Sequence, residues 1–200
     1  MGDEFRTVGA GCRTKKIAII NVKVYAIALY VEAEKGAREL GIRDRGGFFE
    51  TEDDYCSALV DGGFLKALQI QLVRDVDGGT FVDALNEALQ PRLSLSGELA
   101  VLDTFKAFFD GKKLSNGTNI VLLYRGDGTL DVVVKDKQDT LDKASPDLSI
   151  PSAGLCRALF EIYLGTTSLV PDAKKEWAKG AKELLDSDKV RRDTRKGGSG

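Results

Sequence analysis

The sequence predicts an α+β fold, a large antiparallel sheet with helices packed on one side, and three observations carry that prediction. "TNIVLLYRGDGTLDVVVK" (118–135) reads as two strands joined through Arg125-Gly126-Asp127-Gly128, a hairpin that demands antiparallel pairing. "KKIAIINVKVYAIALYV" (15–31) is rich in Val, Ile and Tyr with apolar residues in both alternating sets, which predicts one long central strand covered on both faces. Strand-like and helix-like stretches come in clusters and not in strict alternation, which argues against a parallel βαβ sheet.

The remaining elements follow in order. "EAEKGARELG" (32–41) is made of helix formers and stops at Gly41. "TEDDYCSALVDGG" (51–63) predicts a short helix, with Thr51 as cap, acidic residues in the first turn and Gly62-Gly63 as the stop. "FLKALQIQLVRDV" (64–76) is a second strand, with Lys66, Leu68, Ile70, Leu72 and Arg74 on one face. Phe81, Leu85 and Ala88 make an apolar stripe on a helix from about Thr80 to Leu89, and Pro91 is expected just past its end. Helices are further expected over 97–113, over 152–165 up to Gly165, and over 171–188 behind Pro171, with a polar loop at 136–151. Residues 1–188 therefore read as a single domain, and 189–200 as a charged, disordered tail with a linker-like "GGSG" end.

Composition narrows the chemistry. With 29 basic and 31 acidic residues spread along the chain, no basic stripe for nucleic acid stands out. No apolar run reaches the length of a membrane span, and the N-terminus has neither signal-peptide nor transit-peptide character. Histidine is absent, which removes Ser-His and Cys-His nucleophile pairs and every histidine-containing metal site. Cys12, Cys56 and Cys156 are widely spaced, as expected of reduced thiols and not of a zinc site or a disulfide framework. No metal, cofactor or acid/base carboxylate pair is expected. Any site must be built from Arg, Lys, Tyr, Thr or carboxylates.

The pair singled out is Arg13 with Tyr25. An arginine fork matches a carboxylate in two parallel hydrogen bonds, and a tyrosine hydroxyl on the same face adds a third donor. The plainer alternative makes Arg13 a turn residue and Tyr25 core filling, and on pattern alone that alternative is favoured. Tyr55, Tyr163 and Trp177 read as core aromatics, Lys23 as a lysine reaching for the sheet edge, and the glycines at 9 and 11 as too weak a signal for a phosphate loop.

Four blocks together resemble a known family: "G-x-R-x-K" leading into "IAIINVKVYAIALYV", then "GTNIVLLYRGDGTLDVVV", "LCRALFEIYLG" and "PDAKKEW". Over roughly residues 8–185 they resemble the chalcone-isomerase superfamily, and within it the non-catalytic fatty-acid-binding branch of plant and algal plastids. The resemblance implies an open-faced β-sandwich, a large antiparallel sheet covered by a layer of helices with a cleft between them. It places the family's catalytic arginine on Arg13, which is kept. It places the strand threonine on Tyr25, the tyrosine on Phe81, the asparagine near Ala88 and the late-helix hydroxyl on Ile162, followed by Tyr163.

Three of those four replacements are apolar, so the resemblance implies a binder and not an isomerase. The fatty-acid-binding branch holds the carboxylate with an Arg and a Tyr, which match Arg13 and Tyr25. The expected ligand is a long-chain fatty acid, with Phe81, Leu85, Ile162 and Tyr163 along the cleft, in a monomer located in the plastid stroma if the source is a plant or alga. The alternatives are an isomerase of altered or weak activity and a non-catalytic partner-binding protein.

Overall fold

The computed structural model describes residues 4–17, 20–137 and 145–197; side chains 16, 17, 20 and 190–197, part of the predicted 136–151 loop and the end of the "GGSG" stretch lie outside the described residues. The chain opens with β1 (Phe5–Ile17) and β2 (Ile20–Glu32), followed by α1 (Ala33–Arg45) and α2 (Glu52–Asp61). Next come β3 (Lys66–Leu72), the short β4 (Val76–Asp77), α3 (Gly78–Ser96), α4 (Leu99–Phe109) and the short β5 (Lys113–Leu114). The hairpin strands are β6 (Asn119–Tyr124) and β7 (Thr129–Lys135); β8 (Leu148–Pro151), α5 (Ala153–Leu164) and α6 (Pro171–Gly197) complete the chain. The large sheet runs β1-β2-β3-β6-β7-β8 with every pairing antiparallel, and β4 pairs with β5 separately. The α+β class and the helix-covered antiparallel sheet are as the sequence predicts.

Five expectations need correction. The segment 15–31 is not one strand: Lys15 ends up on β1 and Tyr25 on β2, two strands of a hairpin. The single long strand expected over 15–31 is therefore split in two, and Asn21 and Lys23 are exposed near the start of β2. Second, α1 runs through Gly41 to Arg45, with Gly41 buried inside it. Third, Pro91 lies within α3, which continues to Ser96 and ends at Gly97. Burial of Leu85, Leu89 and Leu93 along one stripe outweighs the hydrogen bond that the proline removes. Fourth, the predicted 136–151 loop contains β8, which pairs with β7. The last helix also runs past the expected end at 188, its backbone continuing to Gly197.

The N-terminal strand β1 carries no apolar alternation because it is the sheet edge, and among its residues with described side chains, 5–15, only Val8 is assigned to the core. Its glycines serve α6, which crosses it closely. A Cβ on Gly180 of α6 would lie 1.9 Å from the Val8 carbonyl oxygen, and Trp177 Nε1 donates to the Gly9 carbonyl at 3.0 Å. Gly9 itself has φ +136° at the point where the β1–β2 register shifts. The two elements are thus fixed to each other at backbone contact distance.

Helix starts follow local chemistry. Asp77 accepts from Gly79 N at 3.0 Å and caps α3; Ser152 accepts from Leu155 N at 2.9 Å and caps α5. At α2 the Thr51 amide donates to Asp54 Oδ2 at 2.6 Å. The core lies between the sheet and α2, α3, α4, α5 and α6, with Trp177, Tyr163, Phe64, Phe105, Phe109 and Phe160 its largest fully buried side chains.

Cys56 and Cys156 are part of that core, and burial pushes both thiols up to about 12, whereas Cys12 is exposed on β1. A thiolate reacts and a thiol does not. Alkylation of the native protein is therefore expected to modify one cysteine per chain, Cys12, and all three after denaturation; mass measurement of the labelled protein checks this.

Candidate functional site

The site grows from one pairing in the sheet. Arg13 on β1 stands directly opposite Tyr25 on β2, so both side chains leave the same face of the ladder. Sequence reading finds both residues but not the reason they meet, because β1 carries no strand signal. The face they share is the one covered by helices: Tyr25 is buried and its ring makes an edge contact with Phe81 of α3, centroids 6.4 Å apart. Phe81 in turn packs on Phe109 of α4, which contacts Phe105 and Phe108.

The polar end is made by two tyrosines and an arginine. Tyr25 Oη lies 2.9 Å from Tyr163 Oη, and Tyr163 belongs to α5, next to the fully buried Ile162. Tyr163 is thus both the core aromatic that the pattern suggests and a polar partner of Tyr25. The half-buried Arg13 donates from Nη1 to the Leu169 carbonyl at 2.6 Å. The segment carrying that carbonyl is pinned in turn: Leu169 N donates to Ile162 O at 2.8 Å, and the Ser168 hydroxyl donates to the Tyr163 carbonyl. One N–H of the guanidinium is engaged in this way, which leaves further donors on the same planar group.

Burial raises both phenols above their ordinary value, Tyr163 well above it, while the Arg13 cation opposes the rise at each. A folded value above the unfolded one means that the neutral phenols stabilise the fold. That contribution is fully present below the unfolded value near pH 10 and is lost as pH climbs through the higher folded values. The head of the site is therefore neutral phenol beside cationic guanidinium, and these groups should leave both stability and ligand affinity flat from about pH 7 to 9. Denaturant melts across pH should show their alkaline loss only above about pH 10, smaller in Tyr25→Phe.

The predicted apolar residues come together. Phe81, Leu85, Ile162 and Tyr163 are all buried in the same core as Tyr25. In this arrangement they pack closely, and a separate open groove of about 470 Å³ lies between β1 and α6, lined by Arg6, Thr7, Lys179 and Glu183 among others.

One buried charged residue escapes sequence reading as a special position. Lys66, placed correctly on the face of Leu68 and Ile70, is 2% exposed. Its ammonium donates to the carbonyls of Leu59, Val60 and Gly62 at 2.7, 2.5 and 3.0 Å and lies over the rings of Phe64, Tyr124 and Phe160. It caps the C-terminus of α2, a helix with no basic residue in its last turn, and so has a structural task away from the Arg13 corner.

Comparison with known proteins agrees with this architecture. The family described as "Chalcone isomerase like" matches residues 49–178. A chalcone–flavanone isomerase of Hordeum vulgare is 25% identical over 185 residues, covering 88% of this chain and 79% of the relative. A crystal structure of an Arabidopsis thaliana fatty-acid binding protein superposes with a TM-score of 0.74 at 20% identity, covering 92% of each chain.

Proposed function

The chain belongs to the chalcone isomerase-like family, and from that premise we propose that it binds a free fatty acid between sheet and helices without catalysing a reaction. The carboxylate is held by Arg13 and Tyr25, and the acyl chain lies along Phe81, Leu85 and Ile162. The observation that carries this reading is a count of protons. Two hydroxyls that share one hydrogen bond still hold one proton to give, and the guanidinium beside them can only donate. A corner built of donors with a positive charge calls for an anionic acceptor, and a carboxylate is the simplest that can carry a long apolar body.

The apolar side supports a long chain. Each methylene transferred from water contributes about 0.8 kcal/mol, so some ten of them outweigh the small net balance of one buried ion pair. Because the rings of Phe81 and Tyr25 now touch, entry of the chain requires α3 and α4 to move apart from the sheet. The same close packing is what favours a second reading, a partner-binding protein whose cleft stays shut. Isomerase chemistry is disfavoured by Phe81 and Ile162 at positions where the resemblance expects hydroxyls. In a plant or alga a carrier of this kind would act in the plastid stroma.

The test is mass spectrometry of the lipid extracted from protein purified from a heterologous host. Fatty acid in stoichiometric amount is expected. Protein that carries none, and takes up none when dodecanoate is added, would support the partner-binding reading instead.

A further inference from the structure

We propose that Tyr163 is a positioning residue that aims the Tyr25 proton at the ligand and thereby makes the head-group corner selective for acceptors over alcohols; this rests on the fatty-acid reading above. Everything turns on which hydroxyl donates in the Tyr25–Tyr163 bond. Tyr163 has no exposed surface, and Tyr25 Oη is the one hydrogen-bond partner of its hydroxyl among the described residues. Were Tyr163 the acceptor, its own proton would be enclosed without a partner, a penalty that buried donors rarely bear. Tyr163 therefore donates and Tyr25 accepts.

Tyr25 is then left with its proton. It sits at the edge of the enclosure, 4% exposed, opposite Arg13 in the ladder, so its O–H points toward the corner where the guanidinium also donates. The direction is fixed by α5, because the Tyr163 backbone carbonyl is held by Ser168 and the neighbouring Ile162 carbonyl by Leu169 N. The consequence is chemical. With one lone pair of Tyr25 taken by Tyr163 and its proton directed outward, the corner gives two kinds of donor, O–H and guanidinium N–H. A carboxylate satisfies both. A fatty alcohol can accept from both donors but brings a proton of its own, which must compete with Tyr163 for the Tyr25 oxygen.

The test compares dodecanoate with 1-dodecanol by calorimetric titration, in wild type, Tyr163→Phe, Tyr25→Phe and the double variant. Tyr163→Phe removes only the buried hydroxyl and leaves Tyr25 oxygen open to accept from the alcohol. The ratio of acid to alcohol affinity is expected to fall by roughly threefold to tenfold. The double variant should lower the ratio no further than Tyr25→Phe does, because Tyr163 acts only through Tyr25. A merely structural role for Tyr163 would weaken both ligands alike and leave the ratio unchanged, and that result would overturn the inference. An additive fall in the double variant would overturn it too. Wild type that binds neither ligand would instead remove the fatty-acid reading on which the inference stands.

Discussion

Replacing Arg13 with alanine is expected to weaken dodecanoate binding by roughly ten- to a hundredfold, the equivalent of ~1.5–3 kcal/mol for hydrogen bonds to a charged group. The side chain brings a cation to the corner, standing opposite Tyr25 and reaching Leu169. Its loss leaves a carboxylate facing two neutral phenols with no compensating charge, whereas Tyr25→Phe removes one donor and keeps the charge. The arginine variant should therefore bind more weakly than the tyrosine variant. Arg13→Lys should fall between wild type and alanine, since an ammonium restores charge but not the planar fork. Titration calorimetry with matched denaturant melts separates this loss from instability caused by freeing the Leu169 segment. Unchanged affinity in folded Arg13→Ala would remove the head-group site.

Gly180→Val should be the most destabilising single change outside the cleft. A Cβ at that position would lie 1.9 Å from the Val8 carbonyl oxygen, a backbone atom that cannot step aside without moving β1. Helix propensity works in the opposite direction, since valine is better than glycine inside a helix by about 0.4 kcal/mol. The sign of the measured effect thus decides between propensity and packing. Overpacking against backbone is expected to cost about 3 kcal/mol, or roughly 6–12 °C in melting temperature for a domain of this size. Lys179→Val, one residue away and exposed, should stay within about 0.5 kcal/mol of wild type. Because β1 carries Arg13, Gly180→Val should also weaken dodecanoate binding, which links the α6–β1 contact to the site.

The parts of the fold that periodicity reports are legible in the residues themselves. The β6–β7 hairpin, the strand at 64–76 and the helices at 51–63, 152–165 and after Pro171 all carry apolar spacing or turn chemistry of their own. What escapes is what periodicity does not record. β1 is an edge strand whose side chains are largely exposed and whose glycines answer to α6, a partner about 170 residues away in sequence. Without β1, the polar residues of 15–31 read as sharing one strand, and the pairing of Arg13 with Tyr25 across a hairpin stays hidden. Pro91 misleads for a related reason: the rule that proline ends helices is local, while burial of Leu89 and Leu93 is tertiary.

The candidate site is legible in its residue types but not in its connections. Arg13 and Tyr25 are residue types suited to gripping a carboxylate, although pattern alone favours a turn residue and core filling, and Phe81, Leu85 and Ile162 enter as cleft neighbours only through the family resemblance. Tyr163 passes equally well for a core aromatic, and only the 2.9 Å contact between hydroxyls distinguishes the two roles. No sequence spacing announces a contact between residues 25 and 163. The same holds for Lys66, whose burial depends on three carbonyls at the end of α2 being turned toward it.

A crystal structure of the protein with dodecanoate would decide whether the Arg13–Tyr25 corner is the head-group site. The carboxylate is expected within about 3 Å of Arg13 and of Tyr25 Oη, with the acyl chain running between the sheet and α3 past Phe81, Leu85 and Ile162. A fatty acid lying instead in the open groove between β1 and α6, with its carboxylate on Arg6 or Lys179 and the Tyr25–Tyr163 corner closed, would refute it.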